Sequence, residues 1–315
     1  MAGPRIVAVV GATGAQGGGL VRAILGDADS SFRARALTRR PAAEAARSLA
    51  ARGAEVVCAN LDDVASLERA FAGAYAAFCV TNFWEHFSPE RELVQARAMA
   101  EAARSTGLQH VIWSTLEDTR RWMPVEDARM PTLMGRYKVP HFDAKGEADA
   151  AFTGVPTTFM RTSFYWDNFV GFPGMGPCRG PDGRLRLVLP IGHAAMPSIA
   201  GEDIGRCAYG VLQSGSAYIG QTIGIAGAHL TGEALAAGLG RGLGELVEYV
   251  DVTPDAYREL SIPGAAELAN MFQFKRDFED EFRAVRSVPL SKTLNPGLKT
   301  FDEWLAVNGR RIQVR

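Results

Sequence analysis

The chain has 315 residues, 47% hydrophobic and 22% charged, and its 34 Lys and Arg against 35 Asp and Glu leave a formal net charge of −1. This composition fits an ordinary globular protein with one large α/β domain, or a core domain with a smaller lobe. It offers no basic surplus to mark a nucleic-acid binder, and no apolar run approaches the roughly 18 residues that span a bilayer.

The first stretch, MAGPRIVAVVGATG, runs straight into a strand and does not read as a signal peptide. Cys58, Cys79, Cys178 and Cys207 form no CxxC pair, and the histidines show no HExxH spacing, so neither a disulfide framework nor a zinc site is expected. The default expectation is a cytoplasmic, metal-free protein without a membrane or nucleic-acid partner.

Ile6 to Val10 is a β-branched apolar run, as in a strand buried on both faces of a parallel sheet. GATGAQG follows at once, with Gly11, Gly14 and Gly17 spaced three apart, and then an amphipathic segment with Leu20, Ile24 and Leu25. Strand, glycine turn and helix aim backbone N–H groups at a phosphate. The spacing is GxxGxxG rather than GxGxxG, so position and flanks carry much of the assignment.

Arg33 to Thr38 reads as the second strand, ending in Arg39 and Arg40; Pro41 then opens an alanine-rich helix to about Arg52. An acidic residue at that strand end would bind the 2′-hydroxyl of NAD, whereas arginine accommodates the 2′-phosphate of NADP. No carboxylate stands there, and NADP is favoured. Glu55 to Cys58 is the third strand, with Asn60 or Asp62 placed to reach adenine and Asp63 placed to cap the next helix. Asp62 reads equally well as a helix-start residue.

Ala76 to Val80 is the fourth strand; Thr81, Asn82, Phe83 and Trp84 at its mouth would sit beside the inner ribose and nicotinamide. Pro89 begins a long helix to about Thr106, and His110 to Ser114 is the fifth strand. Arg120 to Val139 is long and punctuated by Met and Pro, and its apolar content suggests a lid over the substrate. Pro140 starts a helix in which His141 and Lys145 share a face.

Val155 to Arg161 is the sixth strand, followed by aromatic residues through Phe169. Alternating strands and helices give a Rossmann-type doubly wound parallel sheet over residues 1–168, with polar and aromatic groups at its carboxyl edge. Residues 169–315 would form a smaller C-terminal α/β lobe, with some interleaving allowed. Its elements are a strand at Leu185 to Leu189, a helix at Asp203 to Leu212 and a strand at Tyr218 to Ile225. A helix at Leu230 to Leu243, a strand at Val247 to Val252 and helices near Pro254, Gly264 and Thr300 complete it.

GATGAQG at 11–17, GAYAAFCVTNFWE at 73–85, HFDAKGEADAAF at 141–152 and ELANMFQF at 267–274 together resemble the NmrA-like branch of the atypical short-chain dehydrogenases/reductases. The resemblance implies NADP(H) binding, with dinucleotide contacts from Gly11, Thr13, Gly14, Ala15, Gln16 and Gly17. It implies 2′-phosphate contacts from Arg39, with Arg40 as neighbour. Asn60 and Leu61 stand where the family has an Asp-Gln-like pair beside adenine. Asn82 and Phe83 match the nicotinamide side, Lys145 the cofactor-binding lysine, and Phe164, Tyr165 and Asn168 the stretch after the sixth strand.

Ordinary short-chain dehydrogenases use Tyr-x-x-x-Lys; here His141 replaces the tyrosine. His141 is a candidate proton donor or a wall residue, with Tyr137, Ser114 and Thr115 as further donor candidates. Ser114 and Thr81 are also expected at the cofactor. Two functions follow: an NADPH-dependent reductase of a small carbonyl, imine or conjugated substrate, or a non-catalytic NADPH/NADP sensor acting on a protein partner. A homodimer is compatible with either.

Overall fold

The computed structural model describes residues 3–315. The first half alternates: β1 (Arg5–Val9), α1 (Ala15–Gly26), β2 (Phe32–Thr38), α2 (Glu44–Ala51), β3 (Glu55–Cys58), α3 (Val64–Phe71), β4 (Ala76–Cys79), α4 (Pro89–Ser105), β5 (His110–Thr115), α5 (Pro140–Ala148) and β6 (Thr157–Arg161). Then come β7 (Phe164–Tyr165), α6 (Asn168–Gly171), β8 (Cys178–Arg179), β9 (Leu185–Leu189), β10 (Met196–Ile199), α7 (Gly201–Gln213), β11 (Thr222–Gly224), β12 (Ala228–Leu230), α8 (Gly232–Leu243) and β13 (Val247–Asp251). Five helices close the chain: α9 (Pro254–Arg258), α10 (Ala265–Asp277), α11 (Glu279–Ala284), α12 (Val288–Leu294) and α13 (Phe301–Asn308).

The large sheet runs β11-β6-β5-β4-β1-β2-β3, and each of its pairs is parallel. The order reverses between β1 and β4, so a crevice opens at their carboxyl ends. The pleat divides β1 between two cores. Val7 and Val9 pack with α1 and α7 residues such as Leu20, Ile204 and Val211, whereas Ala8 and Val10 pack with Leu67, Phe71 and Met99 from α3 and α4.

Two three-stranded sheets, β12-β10-β7 and β13-β9-β8, build the second half with α8 to α11 and α13 around a separate apolar core. The division after residue 168 is not clean. The helix and strand expected in the small lobe, α7 and β11, belong to the large sheet: β11 pairs with β6, and Ile204, Val211 and Ile223 join the core of β1 and α1. The contact is close because a Cβ on Gly205 would lie 2.1 Å from the Leu20 amide nitrogen. Backbone meets backbone where α7 crosses α1, a geometry hidden from hydropathy patterns.

The long segment from Arg120 to Val139 also departs from expectation. It is a belt fixed to α10 rather than a lid. Met123, Met130, Tyr137 and Val139 are fully buried. Asn270 Nδ2 donates to the carbonyls of Pro131 (2.9 Å) and Lys138 (2.6 Å), and Gln273 Nε2 to that of Arg129 (2.7 Å). Lys138 Nζ donates to the carbonyls of Asp127 and Met130 at 2.7 and 2.6 Å. Polar side chains from another helix satisfy a backbone that lacks its own ladder, which sequence spacing alone does not show. No helix among the described residues is long and apolar enough to cross a membrane.

Candidate functional site

Gly11 sits at φ +64°, a left-handed conformation that favours glycine, and its carbonyl accepts from the Gly14 N–H at 2.9 Å. A Cβ on Gly17 would come within 2.5 Å of the Gly11 carbonyl oxygen, so the start of α1 can lie on the turn only as glycine. No side chain caps α1 and no acidic residue occupies its first turn. Its free N–H groups therefore open on a groove, an arrangement suited to a phosphate.

That groove holds about 400 Å³ and runs from Gly11, Thr13, Gly14, Ala15, Gln16 and Gly17 past Arg39 to Asn60, Leu61 and Asp62, returning along Thr81 and Asn82. A second cavity of about 170 Å³ continues from it. Gln16, Thr81, Asn82 and Tyr165 border both spaces, and Phe83, Ser114, His141, Lys145, Phe164 and Asn168 line the second. The structure thus gathers nearly all the predicted residues along one channel. Donors at the α1 terminus, a guanidinium at one end and a polar constriction before an apolar chamber together fit a phosphorylated dinucleotide.

Three predicted residues lie elsewhere: Arg40, Tyr137 and Thr115, whose buried hydroxyl donates to Asp149 at 2.6 Å and does not reach the chamber. Arg40 does not line the groove; its side chain is exposed beyond the end of β2, and its N–H donates to Thr38 Oγ1 at 3.1 Å. Tyr137 is buried in the belt, where its hydroxyl donates to Glu90 at 3.3 Å and its ring lies beneath the guanidinium groups of Arg120 and Arg136. Burial pushes its hydroxyl up to about 12. It does not border the chamber, so its hydroxyl cannot donate a proton there. Asp62 is at the groove but engaged, with Arg91 at 2.6 Å and Gln95 at 2.9 Å, while Asp63 caps α3 through the Ser66 N–H.

At the constriction, Gln16 Nε2 donates to the Tyr165 hydroxyl at 2.5 Å, and Gln16 Oε1 accepts from Ser114 Oγ at 2.8 Å. Lys145 projects from α5 to the end of β4. Its Nζ donates to Thr81 Oγ1 at 2.7 Å, stands 3.7 Å from Glu92 and lies over the Trp113 ring. Burial pushes its ammonium below the usual lysine range, opposed by Glu92. Both Glu92 oxygens are otherwise without a hydrogen-bond partner.

His141 departs from the role of proton donor. Glu267 Oε1 accepts from its backbone N–H at 2.9 Å and contacts its Nδ1. Burial drops the imidazole to about 3, with Lys275 and Lys145 adding to the effect. Burial therefore favours the neutral imidazole, which is held against Phe83 and Trp84. Burial in turn raises the Glu267 carboxyl well above the ordinary range.

Sequence reasoning missed Glu92, Glu267 and Lys275. ELANMFQF held the signal: Glu267, Asn270 and Gln273 recur three apart and reach His141 and the belt, while Leu268, Met271 and Lys275 border the chamber. Glu85 was missed as well. It lines the groove and pairs with Arg39.

A model of the NmrA-like family matches residues 4–305. The chain belongs to the NmrA-like family. An NmrA-like family domain-containing oxidoreductase of Cladobotryum sp, FrzB, is 28% identical over 289 residues, covering 85% of this chain and 83% of its own. The negative transcriptional regulator NmrA, solved in complex with NADP, superposes with a TM-score of 0.75 at 23% identity over 96% of this chain and 95% of its own. The triphenylmethane reductase of Citrobacter sp., complexed with NADP(H), gives 0.70 at 20% identity over 96% and 99%. The NmrA-like fold thus houses both a regulator and a reductase, so the fold alone assigns neither role.

Proposed function

We propose that this NmrA-like protein is an NADP(H)-dependent oxidoreductase that reduces a small, largely apolar carbonyl, imine or conjugated compound. The observation that carries the reading is the channel itself: the dinucleotide groove opens past Gln16, Thr81, Asn82 and Tyr165 into a chamber with Lys145 at its edge. Bound NADPH would supply hydride equivalents there. The α1 amides and Arg39 hold the phosphates. Lys145, fixed by Thr81, binds and orients at the constriction, and Phe83, Trp84 and Phe172 exclude water. The chamber volume, about 170 Å³, suits one substituted ring, since an engineered apolar cavity of about 150 Å³ holds benzene.

The sensor reading draws on a different observation: where ordinary short-chain dehydrogenases carry their tyrosine, this chain has a buried His141 tied to Glu267. Incubating the protein with NADPH and a panel of quinones, aromatic aldehydes, enones and imines separates the two. Turnover is expected with at least one class, and Lys145→Met should lower kcat by about a hundredfold or more while leaving NADPH bound. NADPH binding without reduction of any panel member, together with a cofactor-dependent change in sedimentation, would decide for the sensor.

A further inference from the structure

The described residues bury four cations almost completely: Lys138, Lys145, Lys275 and Arg286. Three have partners. Lys138 donates to two carbonyls, Lys145 to Thr81, and Arg286 grips Glu117 at 2.6 and 2.8 Å and donates to the Thr162 carbonyl at 2.8 Å. Lys275, 4% exposed, has no hydrogen-bond acceptor and no carboxylate within ion-pairing distance among the described residues. Its Nζ lies 5.5–5.7 Å from the ring centroids of Phe142, Phe164, Phe272 and Phe282, and its side chain lines the chamber.

Position on α10 explains the placement. Leu268, Met271 and Lys275 follow at i, i+3 and i+7, one helical face, and all three border the cavity. A stripe that is otherwise apolar delivers one ammonium to an apolar space. The ring faces stabilise a cation without neutralising it, and an unpaired buried charge is costly unless something of opposite sign arrives.

Resting on the reading of the chamber as a substrate site, we propose that Lys275 anchors an anionic oxygen on a compact, ring-sized ligand: a carboxylate, or the ionised oxygen of a phenol or enol. The surrounding wall, including Leu116, Phe172, Met175 and Met271, takes the apolar body. Burial, with Arg286 adding to it, brings the ammonium down to about 7, so the free site alternates between charged and neutral near physiological pH. The charged and titratable groups around it are committed elsewhere. Arg286 and Arg161 both face Glu117, and His141 is tied to Glu267. The charge that varies is that of Lys275 itself.

Calorimetric titration of the full chain with benzoate and methyl benzoate, with and without saturating NADPH, tests the anchor. Wild type should bind benzoate, and Lys275→Met should weaken it at least tenfold while methyl benzoate and NADPH bind within twofold of wild type. Lys275→Met should fold at least as stably as wild type, because it removes a charge and keeps the length. Benzoate affinity should fall about tenfold from pH 6 to pH 8, as the fraction of ammonium falls while the carboxylate stays ionised. The same titration with pentafluorophenol at pH 6.5, where that phenol is mostly ionised and Lys275 still mostly charged, tells a phenolate ligand from a carboxylate one. Equal benzoate binding by wild type and Lys275→Met, or refusal of benzoate by a wild type that takes NADPH, would overturn the anchor and leave the cofactor reading standing. Lys275-dependent benzoate binding without NADPH uptake would do the reverse.

Discussion

Replacing Arg39 or Glu85 tests the cofactor end of the channel directly. Arg39 Nη1 and Nη2 meet the two Glu85 oxygens at 2.5 and 3.0 Å, in a forked pair whose side chains are 55% and 44% exposed. Glu85 therefore covers the group that would receive a 2′-phosphate, and binding requires Arg39 to exchange one anion for another. An exposed ion pair is worth about 0.2–1 kcal/mol. Glu85→Gln should therefore tighten NADPH by about 1.4- to 5-fold and leave NADH unchanged. A charge-assisted hydrogen bond contributes about 1.5–3 kcal/mol, so Arg39→Ala should weaken NADPH roughly ten- to a hundredfold, again sparing NADH. With Arg39 gone, Glu85→Gln should lose most of its benefit, since the competition it relieves no longer exists. Titration of both dinucleotides by calorimetry reads all four combinations. Equal losses for NADPH and NADH in Arg39→Ala would refute the reasoning, because a 2′-phosphate contact cannot weaken a ligand without that phosphate.

Two further predictions concern buried charge. Glu117 and Arg286 are 3% and 0% exposed at the side chain. Burial alone would raise the Glu117 carboxyl, yet Arg286 and Arg161 keep it below the usual range. Glu117→Gln strands the guanidinium and should cost about 3–5 kcal/mol in urea unfolding; a loss under 1 kcal/mol would show that water or Thr162 suffices. Asp149 accepts from Thr115 Oγ1 at 2.6 Å and Trp113 Nε1 at 2.9 Å, yet burial raises it to about 6. The raised pKa lends stability that is full below about 4, its unfolded range, and is lost as pH climbs through about 6. Asp149→Asn keeps the acceptor and removes the titration, so it should flatten the stability profile between pH 4 and 6 and gain about 3 kcal/mol at pH 7. An unchanged profile in thermal scans would assign that slope to other groups.

Local chemistry made the nucleotide half readable. β1, the turn at Gly11, and α1 lie within one short stretch, and apolar strands buried on both faces advertise themselves by composition. The carboxyl-edge rule brought Thr81, Ser114 and Tyr165 to one crevice, and the family resemblance added Lys145. Where the expectation concerned what a side chain would touch, it failed more often. The apolar residues of 120–139 were legible as buried, but not against which partner, and α10 rather than the substrate proved to be what they cover.

The amino-acid order alone determined the doubly wound sheet and the glycine turn, because each rests on periodicity or on neighbours a few positions apart, and its motifs carried the family resemblance. Only the tertiary structure decided the charge states of the chamber. His141 meets Glu267 across 126 positions, Arg286 meets Glu117 across 169, and Lys275 meets a cage of rings and, among the described residues, no carboxylate. Electrostatic energy in a desiccated interior depends on distance and desolvation, and neither quantity is written in the spacing of residues along a chain.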